Sequence, residues 1–387
     1  MIVTKKGGVM SYFSLKIFML CLIGAVLSAY ALAQAPDNIA FCIADVKYDG
    51  KNLKILEFGD CAESMFSGYN ALYGKGAMWS LFWKHLAQFK LPLWYVGSSK
   101  NSMGLSTLKK LGGTCVASMT ALHSKIKEEA KAFRKTGAKD SSGIVFVKSS
   151  YTKAGMRLLK KNFPSLIFVN NKVRHHVRNK CNTEFLFRGD SFLKAFRPAC
   201  KVCSKKCPPG LSESIIHELK SDTYVIKPTD GSCGRGIVFV PKKELNAMLE
   251  SLFKDRSALL NMKQKNSHTF GFWTMDRSTH FLVEEYVPSK ILTIAGKPYD
   301  PTMRLVFTMS SIGDNINITI LGAYWKLPAK SLIEKSTLTE RHRSDVHSSA
   351  PVNSVKVDHN DFEHVSQMFT PVMEKIYKRI LKRAYRG

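Results

Sequence analysis

Lys227 stands in residues 224–240, YVIKPTDGSCGRGIVFV, between an apolar run and a loop made of Gly231, Ser232, Gly234, Arg235 and Gly236. Glycines in such a loop tolerate positive φ and carry no Cβ, so backbone N–H groups can close on an anion, and a lysine at the edge adds a fixed charge. The chemistry this suits is phosphate binding. The spacing is neither G-x-x-x-x-G-K-[ST] nor G-x-G-x-x-G, and an apolar run at 237–240 follows the glycines where both motifs need a helix. Strand, turn and strand therefore predict a β-hairpin that covers a nucleotide as a lid, with a plain glycine-rich turn beside a surface lysine as the alternative.

Acidic residues supply the second set. Residues 41–60, FCIADVKYDGKNLKILEFGD, read as two short strands folded at Asp49-Gly50, with Leu53, Ile55 and the pair Leu56/Phe58 marking the second. That fold brings Asp45 toward Glu57, and paired carboxylates on neighbouring strands suit a hard cation such as magnesium; two solvated charges are the alternative. Residues 279–290 predict a strand ending in Glu284-Glu285-Tyr286-Val287 and stopped by Pro288. A strand at 298–311 carries Asp300 and Arg304, and its expected antiparallel partner at 315–330 carries Lys326.

Cysteine forms the third set. Of nine cysteines Cys21 lies in the first 35 residues, leaving Cys42, Cys61, Cys115, Cys181, Cys200, Cys203, Cys207 and Cys233. An even number suits disulfides in an exported chain, whereas Cys181 with the cluster Cys200, Cys203 and Cys207 could hold zinc as four thiolates. Both readings stand at this point. His175 and His176 lie in a basic helix-like segment without partners at ligand spacing and read as surface residues.

These residues need scaffolding, and 387 residues at 45% hydrophobic content provide two or three cored lobes and exclude a disordered chain. A net charge of +28 attracts polyanions: nucleotides, nucleic acid, acidic peptides or an anionic membrane. Residues 1–35 read as a targeting segment, with Lys5, Lys6 and Lys16 before an apolar run of roughly 17 residues that ends at Ala31-Leu32-Ala33. Cleavage after Ala33 would export the chain, and an uncleaved run would anchor it in a membrane. Met10 is an alternative start.

Residues 63–92 read as loop and then an amphipathic helix with Met78, Leu81, Phe82, Leu86 and Phe89. Strands at 93–97, 143–149 and 165–170 alternate with helices at 118–134 and 154–162, which predicts an α/β lobe on a largely parallel sheet. Pro208-Pro209-Gly210 marks a lobe boundary, 335–350 reads as a polar loop, and an amphipathic helix closes the chain. The organisation is a leader (1–35), the acidic hairpin (36–75), the α/β lobe with the cysteine cluster (76–210), the glycine-lid lobe (211–290) and a last lobe (291–387).

Taken together these motifs resemble the ATP-grasp superfamily over nearly everything after the leader. In that family a lysine before a glycine-rich loop contacts the phosphates, which Lys227 and residues 231–236 match, and an acidic strand end holds adenine and ribose, which Glu284, Glu285, Tyr286 and Val287 match. Asn179-Lys180 stands where a further nucleotide contact is common, and Asp300 and Arg304 with Tyr324, Trp325 and Lys326 look most like the tubulin tyrosine ligase branch. The family ordinarily ends in a metal-binding Asp and Glu-x-Asn hairpin, whereas this chain stops at a helix and carries such a hairpin at 41–60. It reads as a circular permutation, with Gly59 in place of the Asn and Asp60 beside it, so the magnesium set would be Asp45, Glu57 and Asp60.

The resemblance implies a ligase: ATP phosphorylates a carboxylate and an amine displaces phosphate from the acylphosphate, with Arg304 and Lys326 on the reacting phosphoryl group and an acidic peptide or protein as an implied substrate. Three rivals remain. A kinase on the same fold would make a stable phosphorylated product, an inactive descendant would keep only the fold, and a basic nucleic-acid-binding protein would use the charge and a zinc-bound cysteine cluster.

Overall fold

The computed structural model describes residues 35–60, 63–97, 104–135, 142–148, 153–231, 234–343 and 354–384. Residues 1–34, which carry the expected targeting segment apart from Ala35, therefore lie outside the described residues, as do Cys61, Ser232 and Cys233.

The architecture is mixed α/β, with one parallel sheet and antiparallel sheets around it. Strands β1 (Asn38–Tyr48) and β2 (Leu53–Asp60) form the acidic hairpin. Next, β3 (Leu93–Val96), β4 (Thr114–Val116), β5 (Gly143–Val147) and β6 (Leu166–Phe168) make the parallel sheet, ordered β4-β3-β5-β6. The strand β4 and a helix, Leu105–Lys110, were not expected; both are short, and their residues lack a clear period. A four-stranded antiparallel sheet follows, ordered β7-β10-β8-β9, from β7 (Cys200–Ser204), β8 (Thr223–Pro228), β9 (Val238–Pro241) and β10 (His280–Glu285). The β8–β9 pair is the expected glycine hairpin. Because β7 bonds to β10, the cysteine strand belongs to this sheet, ahead of the turn at Pro208-Pro209-Gly210.

The expected strand at 298–311 is two: β12 (Lys297–Tyr299), paired with β11 (Leu292–Ile294), and β13 (Thr302–Ile312), parted by Asp300-Pro301. A proline has no N–H for a ladder, which fits a break there. Finally β13, β14 (Asn315–Lys326) and β15 (Ser354–Lys356) join the N-terminal hairpin in one sheet ordered β15-β14-β13-β1-β2.

In this last sheet β1 is an inner strand, between β13 and β2, and buried along almost its whole length. Strand alternation sends its residues to two cores. Ala40, Cys42, Ala44 and Val46 pack with the C-terminal helix His359–Ala384, through Val365, Phe369, Val372, Ile376 and Ile380 at helical spacing. Ile39, Phe41 and Ile43 face the other way, against Trp79 and Phe82 of the helix Ala77–Ala87 and the parallel lobe. Carried two steps further, that second face places Asp45 and Lys47 beyond the apolar contacts. The same alternation puts Arg304 beside Val306 on β13 and Lys326 beyond Tyr324 on β14.

Two local departures have simple causes. Asp45 pairs with Glu57 and Val46 with Ile55, so Leu56 is an extra residue in a β-bulge, which explains why Leu56/Phe58 run out of phase with Leu53 and Ile55. Residues 63–92 begin with helical turns, Glu63–Phe66 and Ser67–Tyr73, where a loop was expected. The polar stretch at 335–350 contains the helix Leu338–His342, started by a capping box in which Thr337 Oγ1 accepts from the Glu340 N–H and Glu340 accepts from the Thr337 N–H.

Candidate functional site

A cavity of about 590 Å³ opens between the lid sheet and the charged end of the five-stranded sheet. Lys227, Glu284, Asp45, Arg304 and Lys326 all line it, although they come from two different sheets. Three buried acids, two in its polar wall and one behind it, are each shared by several donors.

Glu284 is the first of these. On β8 the residues Tyr224 and Ile226 enter the lid core while Val225 and Lys227 face the cavity, and β10 alternates in the same way. Lys227 Nζ lies 2.5 Å from Glu284 Oε2, and Arg197 Nη2 lies 2.6 Å from Oε1. Burial alone would raise the Glu284 pKa, but the Arg197 and Lys227 charges outweigh it and hold it below its ordinary value. Arg197 also meets Glu184 at 3.2 Å and donates to the carbonyls of Ile55 and Leu56, which ties β2 to the lid. Nothing in the sequence marked this arginine, since its partners are 13 to 142 residues away and it follows no periodic face.

The second acid is Asp45. Arg304 grips both oxygens, Nε to Oδ1 at 2.7 Å and Nη2 to Oδ2 at 2.8 Å, and Lys326 Nζ lies 2.6 Å from Oδ2. Burial pushes the Asp45 pKa up, while Arg304 and then Lys326 pull it further down, so the carboxylate is ionised. For Lys326 burial and the Arg304 charge dominate and lower its pKa despite Asp45.

Asp300, the third, is fully buried and stands behind the cavity wall. This corrects its expected place among the nucleotide contacts: Oδ2 accepts from Lys47 Nζ at 2.8 Å and the Tyr286 hydroxyl at 2.8 Å and meets His342 Nδ1 at 2.9 Å, while Oδ1 accepts from the Ser289 N–H. It orients residues that do reach the cavity, Lys47, Tyr286 and His342. Burial and then the adjacent Asp300 charge push the Tyr286 phenol pKa up, so it acts as a donor.

Asp300 is depressed to about 2 from 3.8, because Lys47 and the hydrogen bonds from His342, Lys47 and Ser289 overcome its desolvation. A carboxylate with a lowered folded-state pKa stabilises the fold above its unfolded pKa and loses that contribution as pH falls toward the folded one. Asp300→Asn is therefore expected to cost about 2 kcal/mol at pH 6, a cost that shrinks between pH 3.8 and about 2. Urea unfolding of both proteins at pH 6, 4 and 3 measures this, and a pH-independent difference would contradict it.

The glycine loop is tied to the rest from two sides. Lys180 Nζ donates to the Gly231 carbonyl at 2.9 Å and lies 3.8 Å from Glu57, and Asn179 Nδ2 donates to Asp230 at 3.0 Å. Asn179 also caps the helix Lys180–Phe187. Gly236 has φ 77, and a Cβ there would sit 3.0 Å from Pro228 and 3.1 Å from Phe272, so a side chain would meet both strain and contact. Of the residues expected at a nucleotide, Gly231, Gly234, Arg235, Glu285, Tyr286 and Val287 line the cavity, Gly236 does not, and Ser232 lies outside the described residues. Lys47, Phe272, His342 and Arg343 line it too and were not anticipated.

The expected metal set needs correction. Asp45 and Glu57 do sit opposite each other across β1 and β2, and both line the cavity. Asp60 lines the cavity as well but is paired with Arg178 at 2.8 Å and Arg174 at 3.5 Å, and no three acidic, His or Cys side chains cluster as a metal site among the described residues. Magnesium commonly uses one or two carboxylates plus phosphate oxygens and water, so Glu57 suits a magnesium ion bound with a phosphate-bearing ligand, whereas Asp45, with both oxygens held by Arg304 and Lys326, would join it only by giving up one of those contacts.

The cysteine expectations also fail among the described residues. Cys42, Cys115, Cys181, Cys200, Cys203 and Cys207 are free thiols, and neither a disulfide nor a zinc cluster forms. Cys200 and Cys203 are three apart on one strand, so they project to opposite faces. Cys203 and Cys207 pack in the lid core, where burial pushes the Cys203 thiol up to about 12. Cys200 is half-buried near Glu284, and Cys181 lies on the helix Lys180–Phe187 with its pKa raised by burial to about 11.

No family model and no curated protein matches this chain. Among solved structures it is similar to a protein described as a gamma-glutamylcysteine synthetase of Methylobacillus flagellatus KT, at 11% identity, over 95% of this chain and 94% of that one, with a TM-score of 0.41. A D-cycloserine synthetase is 12% identical over 75% of this chain and 81% of that one, with a TM-score of 0.34. The biotin carboxylase domain of Hydrogenobacter thermophilus 2-oxoglutarate carboxylase, solved with MgADP, ADP and bicarbonate, is 12% identical over 79% of this chain and 56% of that one, with a TM-score of 0.34.

Proposed function

We propose that the chain is an ATP- and magnesium-dependent carboxylate-amine ligase of the ATP-grasp type. The observation that supports it most is the gathering of Lys227, Lys180, Arg304 and Lys326 around one cavity, beneath a glycine loop and opposite Asp45 and Glu57. Lys227 and the loop N–H groups bind the phosphates, residues 285–287 hold the base and ribose, and Arg304 and Lys326 face the phosphoryl group that is transferred. When bound at Asp45 and Glu57, magnesium would neutralise phosphate charge. Because Arg304 and Lys326 are already locked on Asp45, they are preorganised for charge that develops during transfer.

A carboxylate substrate would take the phosphoryl group, and an amine would then attack the acylphosphate carbon and release phosphate. The N-terminal hairpin beside β13 supports a circularly permuted arrangement, and the motif pattern favours the tubulin tyrosine ligase-like branch, with an acidic peptide or protein as the carboxylate or amine partner. Export through the N-terminal segment belongs to the same proposal. Calorimetry with ATP in the presence and absence of magnesium tests the first step, with magnesium-dependent binding expected. ADP and phosphate release that requires both a carboxylate and an amine tests the second. ADP release with a stable phosphorylated product would make it a kinase, and a folded protein that binds no ATP would end the proposal.

A further inference from the structure

At the hinge end the cavity is walled by Phe239, Tyr286 and His342. The His342 ring lies 4.8 Å from that of Tyr286 and 5.7 Å from that of Phe239, centroid to centroid. Its Nδ1 is 2.9 Å from Asp300 Oδ2, an oxygen that also accepts from Lys47 and Tyr286. An ionised carboxylate only accepts, so the Nδ1 facing it carries the proton, and in the neutral ring Nε2 is left with a lone pair. No hydrogen bond to Nε2 occurs among the described residues, and the side chain keeps 13% exposure in a residue that lines the cavity.

The ring is also held from outside. The helix Leu338–His342 is capped by Thr337 and Glu340, Thr339 Oγ1 accepts from the Phe239 N–H at 3.1 Å, and Arg343 donates to Thr269 at 2.5 Å. The carrier of His342 is thus fastened both to the lid hairpin and to the helix Ser267–Met275. A lone-pair nitrogen, fixed in direction and placed beside two aromatic rings, is suited to reading the edge of a flat heterocycle.

We propose that His342 is a specificity-determining residue whose Nε2 accepts a hydrogen bond from the exocyclic amino group of the base, selecting adenine over guanine. This rests on the nucleotide reading above. Adenine presents an amino donor where guanine presents a carbonyl, and an acceptor fixed by Asp300 would face that carbonyl lone pair to lone pair. A site built around such a bond rejects the analogue that leaves its polar group unpaired.

The test is calorimetry of the full chain with magnesium and either ATP or GTP. The wild type is expected to prefer ATP by about tenfold or more. His342→Phe keeps a ring against Tyr286 and Phe239 but removes the nitrogen; it should weaken ATP about tenfold and leave GTP no weaker, so the preference collapses. His342→Gln, which returns an acceptor oxygen, should restore part of it. Equal weakening of both nucleotides in His342→Phe, or an unchanged preference, overturns the assignment, and so does a glutamine variant without any ATP preference. A folded wild type that binds neither nucleotide overturns the nucleotide reading and this inference together, whereas ATP binding with an intact preference in His342→Phe overturns this inference alone.

Discussion

Replacing Lys227 with alanine is expected to lower ATP-dependent turnover about a hundredfold or more while the protein stays folded. The side chain is buried on the cavity face of β8 and paired with Glu284. A preorganised charge aimed at a transferring phosphoryl group is worth about 3 kcal/mol, and each 1.4 kcal/mol is about a factor of ten. Glu284 keeps Arg197 as its counter-charge in the variant, so the fold loses only one of two partners. Turnover, ATP affinity and thermal unfolding measured side by side separate the two effects. Unchanged ATP affinity in a folded Lys227→Ala protein would remove the lysine from the nucleotide site.

Glu284→Ala should behave in the opposite sense, with stability as the first loss. Its carboxylate is 1% exposed and meets both Lys227 and Arg197, so alanine would strand two cations away from water. Removing one partner of a buried pair costs about 3–5 kcal/mol because of the charge left behind. Glu184 still reaches Arg197 at 3.2 Å, which puts the expectation at the lower end, about 3 kcal/mol. Urea denaturation of Glu284→Ala and Glu284→Gln measures it, the glutamine being milder because its amide oxygen can still accept. A change below about 1 kcal/mol for alanine would mean the cluster is hydrated and not the dry anchor described above.

How legible all of this was depended on how local each signal is. The glycine hairpin, the parallel sheet and the pairing of Asp45 with Glu57 could be read because turn residues, strand periods and an Asp49-Gly50 fold lie within a few residues of one another. Lys47 finds Asp300 across 253 residues and Arg197 finds Glu284 across 87, and no window of sequence carries such pairings. The cysteine cluster has ligand spacing in sequence but not in space: on β7 a separation of three turns Cys200 and Cys203 away from each other. The helix bearing His342 did have a signal, Thr337 with Glu340 three residues on, but the surrounding Ser, Lys, Arg and His residues read as loop. Asp300 had the right residue type in the right strand region and the wrong depth, because burial is decided by what packs over it.

The position of β1 in the last sheet has a consequence for how the chain acquires its shape. Its ladder with β13 joins residue pairs such as Asp45 and Arg304, so the centre of that sheet waits for a segment some 259 residues later. Such long-range closure is entropically slow, and larger chains pass through partly formed states on the way. During synthesis from the N-terminus the acidic hairpin emerges early, yet β1 keeps one bare hydrogen-bonding edge while the parallel lobe and the lid sheet are completed. A chain released before β13 and β14 would therefore display an apolar, unpaired strand and be prone to aggregate. Newly made molecules would need an escort for that edge or a final step quick enough to hide it.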